Sequence, residues 1–194
     1  MFLTFDIVYG KKRTLPKFMV LEMLARYPYW AWENGGYTAL SRLYTTCKEP
    51  CPNRTRELLQ LIDLGRESQD NEQWHLLLVA DIIHQKGIKL KWLHHFLIPS
   101  VMAFKYNILS KILFRLNPKW SFAMNAAFES HAEHQYMLLA KENPDWDNEP
   151  VESQYFEFYP KQKSLADLFR RIGLDERDHM NHSLEEAEKY CRCG

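Results

Sequence analysis

The chain has no net charge: 25 basic residues stand against 25 acidic ones in 194, and the pI is about 7.1. Without a basic excess there is no global field drawing it to nucleic acid, and no nucleic-acid partner is expected. No uncharged apolar run reaches the roughly 20 residues that cross a bilayer; the longest of interest, residues 96–104, is short and contains Pro99. No secretory leader is read at the start, because in MFLTFDIVYGKKR the charges follow the apolar stretch when a leader would need them before it. Cysteine is scarce. Its four copies fall in two pairs, Cys47/Cys51 and Cys191/Cys193. Their C-x3-C and C-x-C spacings are not the C-x2-C knuckles of zinc sites. Reduced, incidental thiols are expected, with a zinc site made from both pairs as the alternative. Acid is absent between Asp81 and Glu129.

What is present suffices for one domain. The chain is 46% hydrophobic and 14% aromatic, enough apolar material for a single core at this length. Residues 1–14 read as a short arm with a basic cluster (Lys11, Lys12, Arg13), 15–190 as one domain and 191–194 as a tail. A first helix is expected from Pro16, kinked or ended in its regular part at Pro28 and stopped near Asn34-Gly35-Gly36. A short helix over 38–46 follows, then an exposed loop at CKEPCPN. A long helical segment covers about 54–85, with Gly65 a candidate break and Gly87 its stop. Residues 89–116 carry Leu93, Leu97, Val101, Phe104, Ile108, Ile112 and Leu116 at spacings of three or four, one stripe of a helix flanked by cationic residues. Such a stripe suits a core-facing helix or a membrane interface, and the pattern leaves both open. Asn117-Pro118 restarts the chain as N-cap and first helical residue, and Ser164 caps a last helix.

Chemistry concentrates in one repeated pattern. E-x-x-H occurs twice, at Glu72/His75 and Glu176/His179. On a helix this spacing puts both side chains on one face, about a turn apart. Each copy lies downstream of a lone glutamate on another helix, Glu22 for the first and Glu129 for the second. Four helices contributing two lone glutamates and two E-x-x-H pairs make a carboxylate-bridged di-metal site inside a four-helix bundle. Glu22 sits among Val20, Leu21, Met23 and Leu24 and needs a partner there; a metal is one candidate, a salt bridge to Arg26 the other. Glu133 competes with Glu129. Glu129 is preferred because Tyr136, two turns on, shares its face. A tyrosine beside a di-iron centre can supply an electron and a proton, whereas a plain core tyrosine would hydrogen-bond its hydroxyl. Carboxylates mixed with imidazoles suit two iron or manganese ions better than a closed zinc site, and with iron the default chemistry is oxygen activation. Asn71 and Asp175 directly precede ligand glutamates and are candidates to orient the histidines by hydrogen bonds. His131, His134 and His182 are read as neighbours of the site or surface groups.

VLEMLARYPYWAW around Glu22, SQDNEQWHLLL around Glu72, FESHAEHQY around Glu129 and LDERDHMNH around Glu176 resemble the four ligand boxes of the alternative oxidases. The similarity is greatest to the plastid terminal oxidase branch found in plastids, cyanobacteria and their phages, through the LE…AR.PY, NE..H and ES.A…Y boxes. The resemblance covers about residues 15–185. It implies an all-α, ferritin-like four-helix bundle with additional short and interfacial helices, and two Fe ions held by Glu22, Glu72, His75, Glu129, Glu176 and His179. It implies a quinol oxidase that reduces O2 to water without pumping protons. Plastoquinol is the expected substrate, with ubiquinol the alternative. The resemblance also implies a homodimer lying on one leaflet, at the cytoplasmic face of a thylakoid or plasma membrane, with residues 89–116 as anchor. Tyr136 falls at the catalytic tyrosine position, and Leu21, Arg26 and Ala132 beside the expected quinone cavity. Gln135 stands where these enzymes usually carry threonine, a change in the expected quinol contacts. CKEPCPN resembles an insertion, the 143–162 connection is shorter than in plant plastid enzymes, and the missing transit peptide favours a bacterial or phage gene. A di-iron monooxygenase such as a quinone-ring hydroxylase, and a ferritin-like storage bundle, are the competing expectations.

Overall fold

The computed structural model describes residues 2–49 and 51–189. Cys191, Cys193 and the expected tail lie outside them. Among the described residues every regular element is helical. They are α1 Phe2–Tyr9, α2 Leu15–Thr46, α3 Pro52–Gln85, a π turn Leu93–Leu97 running into α4 Ile98–Leu116, α5 Pro118–Glu142 and α6 Leu165–Lys189. Two 3-10 turns, Pro144–Asp147 and Gln154–Glu157, punctuate the connection before α6. α2 packs most extensively on α3, and α5 on α6. The two hairpins close a ferritin-like four-helix bundle, and α4 lies across α2 and α5.

Several boundaries differ from the sequence expectation. α2 runs unbroken through Pro28 and Gly35-Gly36 as one 32-residue helix. Pro28, Tyr29 and Trp32 are buried, so tertiary packing offsets the hydrogen bond that proline forfeits. The glycines are packing notches. A Cβ on Gly36 would stand 2.7 Å from Ile62 Cγ1, inside contact distance. Gly65 likewise does not break α3, because a Cβ there would meet the backbone of α2 at Tyr29 O (3.1 Å) and Glu33 N (3.3 Å). The N-terminal arm contains a helix, α1, whose Phe5 is buried in the main core. Lys17 ties that arm down, donating to Asp6 Oδ1 at 2.5 Å and to the carbonyl of Gly10 at 2.8 Å.

Other signals hold. Asn117 Oδ1 accepts from Lys119 N at 3.0 Å as the cap of α5, Ser164 Oγ accepts from Asp167 N at 3.1 Å at the start of α6, and Gly87, with φ of 62°, follows the end of α3.

The stripe on 89–116 faces outward. Leu93, Leu97, Val101, Phe104, Ile108, Ile112 and Leu116 are all exposed, and Pro99, Ala103, Tyr106 and Ser110 take the inner face. The core-facing reading of that stripe is thereby excluded. Residues Leu93–Leu116 also form one continuous helix with a mean hydropathy of 1.3 over its most apolar stretch, long and apolar enough to cross a membrane by length and composition. The sequence count missed this because Lys105, Lys111 and Arg115 interrupt the uncharged run without interrupting the helix.

Candidate metal centre

Four helices each aim acid at the bundle axis. Glu22 comes from α2, Glu72 and His75 from α3, Glu129 from α5, and Glu176 and His179 from α6. The four glutamates and His75 have no solvent exposure, and His179 has 6%. They form two overlapping groups whose ligand atoms lie within 4.8 Å of one another: Glu22, Glu72, His75 and Glu176 in one, Glu72, Glu129, Glu176 and His179 in the other. Glu72 and Glu176 belong to both, so they stand between two metal positions, and Glu22 and Glu129 stand at the outer ends. Glu133 is only half-buried and outside both groups.

The cluster needs cations. Glu22 Oε2, both oxygens of Glu72 and of Glu176, Glu129 Oε2, and Nδ1 of both histidines are buried without a hydrogen-bond partner. Buried acceptors left in that state are strongly destabilising unless something else satisfies them. Burial pushes the carboxyls of Glu22 and Glu129 well up, reinforced by the charges of Glu176 on the first and Glu72 on the second. Burial acts the same way on Glu72, yet the His179 and His75 imidazoles close beside it outweigh that and hold its carboxyl below the ordinary range. Burial would lower His179; Glu176 and Glu72 instead raise it to about 10. Four carboxylates and two imidazoles, with orphaned lone pairs converging on two points, fit a pair of iron ions.

Surrounding groups fix the ligands. His75 Nε2 faces Asp175 Oδ2 at 3.3 Å, leaving Nδ1 towards the cluster, 3.2 Å from Glu176 Oε1. Asp175 in turn accepts from Tyr159 Oη at 2.5 Å and from Arg171 Nη2 at 2.5 Å. Asn71 lines a hollow of about 170 Å³ with Asp175, Asp178, His179 and His182, between α3 and α6. Its Oδ1 has no partner and bonds neither histidine. Tyr136, fully buried between Phe18 and Phe169, donates its hydroxyl to Glu22 Oε1. Glu22 therefore pairs with Tyr136 and His75, not with Arg26, which bonds Gln73 Oε1 of α3. Leu21 and Ala132 are buried in the main core. Gln135 turns elsewhere, accepting from Arg13 Nε at 3.0 Å. No single cavity among those described is lined by Leu21, Arg26, Ala132 and Gln135 together. His131 is half-buried, and His134 and His182 are exposed.

Sequence reasoning missed four residues here. Tyr29 donates to Glu129 Oε1 at 2.7 Å and accepts from Asn125 Nδ2 at 3.0 Å. Asn125 also donates to Ser183 Oγ at 3.1 Å, and Ser183 donates to the carbonyl of His179 at 2.8 Å. A signal existed: Tyr29 follows Glu22 by seven residues, Asn125 precedes Glu129 by four and Ser183 follows His179 by four, each on a ligand's own face. Tyr159 lies in an irregular connection, where no periodicity points at it.

No curated protein and no solved structure matches the chain. The family model for alternative oxidase matches residues 2–186. With that match over nearly the whole chain and a buried Glu/His cluster fit for two metal ions, the chain belongs to the alternative oxidase family, di-iron enzymes that oxidise quinol with O2.

Proposed function

We propose that this chain is a plastoquinol oxidase of the plastid-terminal-oxidase branch, working as a homodimer seated on one leaflet of a bacterial membrane, or of a host's membrane if a phage supplies the gene. The observation that carries the membrane reading is the outward apolar face of residues 92–116, the π turn and α4 together. Trp92, Phe96, Phe104 and Leu116 are 65%, 57%, 66% and 69% exposed on one helix, which lies against the two helices that bear Glu22, Glu129 and Tyr136. An apolar patch of that kind on a soluble surface marks an interaction site, and its cationic flanks (Lys91, Lys105, Lys111, Arg115) suit anionic headgroups. Packing along the bundle favours lying in the interface over crossing the bilayer. A chain on one leaflet offers no route for protons across it, in keeping with a reaction that does not pump. The Arg26, Pro28 and Tyr29 box around Glu22 supports plastoquinol over ubiquinol.

Glu22, Glu72, His75, Glu129, Glu176 and His179 would hold the two irons, with Glu72 and Glu176 shared. When bound there, the iron pair would supply electrons for activating O2. The chain's own residues do the rest. Asp175 holds His75 with Nδ1 inward. Tyr136 keeps a proton on Oη against Glu22 Oε1 and supplies it with an electron. Quinol, reaching the α2–α5 side from the lipid, restores both. Leu21 and Ala132 belong to the wall on that side. Gln135, engaged with Arg13, sets headgroup contacts once that pair opens.

Two measurements test this reading. Oxygen uptake by iron-loaded protein in detergent is expected to be faster with a short-chain plastoquinol analogue than with the ubiquinol analogue; iron without uptake from either points to a di-iron monooxygenase. In flotation, the protein should rise with vesicles containing anionic lipid. A soluble, shell-forming assembly would instead support the storage reading.

A further inference from the structure

Tyr136 has a counterpart. It follows Glu129 by seven residues on α5, and its hydroxyl donates to Glu22 on α2. Tyr29 follows Glu22 by seven residues on α2, and its hydroxyl donates to Glu129 Oε1 on α5 at 2.7 Å. Seven residues are two helical turns, so each ring shares the face of its own helix's glutamate and reaches across to the other's. Glu22 and Glu129 are the two unshared carboxylates, one for each metal position. One phenol therefore stands at each end of the cluster, and both are buried, Tyr136 at 0% and Tyr29 at 1%. A tyrosine held only for packing needs one partner for its hydroxyl, and any carbonyl would serve. Tyr29 spends its O–H on a metal-facing carboxylate and receives a second bond from Asn125 Nδ2.

The geometry points to Tyr29 as a second oxidisable tyrosine of the same reaction, serving the Glu129 end as Tyr136 serves the Glu22 end. The proposal rests on the role given to Tyr136 above. O2 takes up four electrons and four protons to become two waters. Two electrons come from the iron pair as it passes from ferrous to ferric. Tyr136 and Tyr29 give one each: the O–H bond breaks, the electron goes to oxygen, and the proton leaves through Glu22 or Glu129. Two further protons come from water. The sum is O2, two ferrous ions, two tyrosines and two protons giving two waters, two ferric ions and two tyrosyl radicals. Two quinols then return four electrons and release four protons. Two of those protons rebuild the tyrosine O–H bonds and two replace those drawn from water. With two tyrosines, one site holds all four electrons before any quinol is oxidised.

The test is a spin count. Full-length iron-loaded protein is reduced to the ferrous state, freed of reductant, mixed with O2 without quinol, frozen within milliseconds and examined by electron paramagnetic resonance. The expected result is two tyrosyl spins per di-iron site in the wild type, one in Tyr29→Phe, one in Tyr136→Phe and none in the double variant, with the signals narrowing when ring-deuterated tyrosine is incorporated. An unchanged count in Tyr29→Phe, or no tyrosyl signal in Tyr136→Phe, overturns the proposal. Should Tyr29→Phe bind iron poorly, 3-fluorotyrosine at position 29 keeps the hydrogen bond and must add fluorine splitting to half of the signal; a signal free of it overturns the proposal equally. Iron content and quinol-dependent uptake are read separately, so failure here leaves the oxidase reading to its own test.

Discussion

Glu72 touches both imidazoles of the centre, with Oε1 2.8 Å from His179 Nδ1 and Oε2 3.7 Å from His75 Nδ1. Removing it opens both metal positions at once. Glu72→Ala is expected to purify without iron and without oxygen uptake, and His179→Ala likewise; normal iron content in either would refute this ligand set. Asp175→Asn should act more mildly. It leaves a hydrogen-bonding group beside His75 Nε2 but removes the charge, and outer partners of this kind change metal affinity by about 10–100-fold. Iron titration of the apo-variant measures that shift. Tyr136→Phe should keep iron and lose turnover by about 10²–10⁴-fold, the usual worth of a positioned proton donor; full activity would reduce Tyr136 to packing. The clustering of Glu72/His75 and Glu176/His179 was legible because E-x-x-H at helical spacing states its own geometry, and the lone Glu22 and Glu129 were legible as candidates from the helices paired with them. Arg26 and Gln135 were less so, since the partners that take them, Gln73 and Arg13, come from other segments of the chain.

At the scale of elements, the α2–α3 hairpin depends on backbone approach at Gly65. The nearest atoms to a Cβ there belong to the α2 main chain and cannot swing aside. Gly65→Val should therefore force the helices apart, at about 1–3 kcal/mol, visible as a lowered denaturation midpoint. The π turn and α4 carry the complementary prediction on their outer face. Phe96→Ser and Phe104→Ser each remove an exposed ring, and with about 1.5–3 kcal/mol per buried aromatic the affinity for anionic vesicles should fall roughly tenfold or more per ring. Iron content should not change, because both rings are exposed and neither residue belongs to the buried ligand groups. Unaltered flotation would remove α4 from the interface. Helix starts were read well from Asn117 and Ser164, whose caps are local. The course of α2 past Pro28 and its glycines was not, because a glycine that admits a neighbouring helix and one that ends a helix look alike until the neighbour is known. The sense of the α4 stripe was open for a related reason: periodicity reports that one face is apolar and not which way it points.

For the whole molecule, the centre couples stability to metal and to pH. In the apo-protein Glu22 and Glu129 titrate well above the ordinary carboxylate range and His179 at about 10. The folded apo-protein therefore binds more protons than the unfolded chain, and stability must fall as pH rises between the unfolded and folded values. The contribution of the two glutamates is whole below about 4.5, the value for a free carboxyl, and that of His179 below about 6.5. The glutamates' contribution declines as pH rises towards their raised values, and that of His179 declines towards pH 10. Glu72 and Asp175 are shifted down, so their contribution is lost only on acidification, outside that window. Thermal unfolding of apo-protein should thus worsen from pH 5 to pH 9. The iron-loaded protein should be more stable throughout and much flatter across the same range, because cations replace those protons. The measurement that bears most directly on the central claim is an iron titration of apo-protein with quinol-dependent oxygen uptake as readout. The account predicts uptake that rises with added iron and saturates at two irons per chain in the wild type, with none at any iron level in Glu72→Ala. Saturation at one iron, or uptake independent of iron, would contradict it.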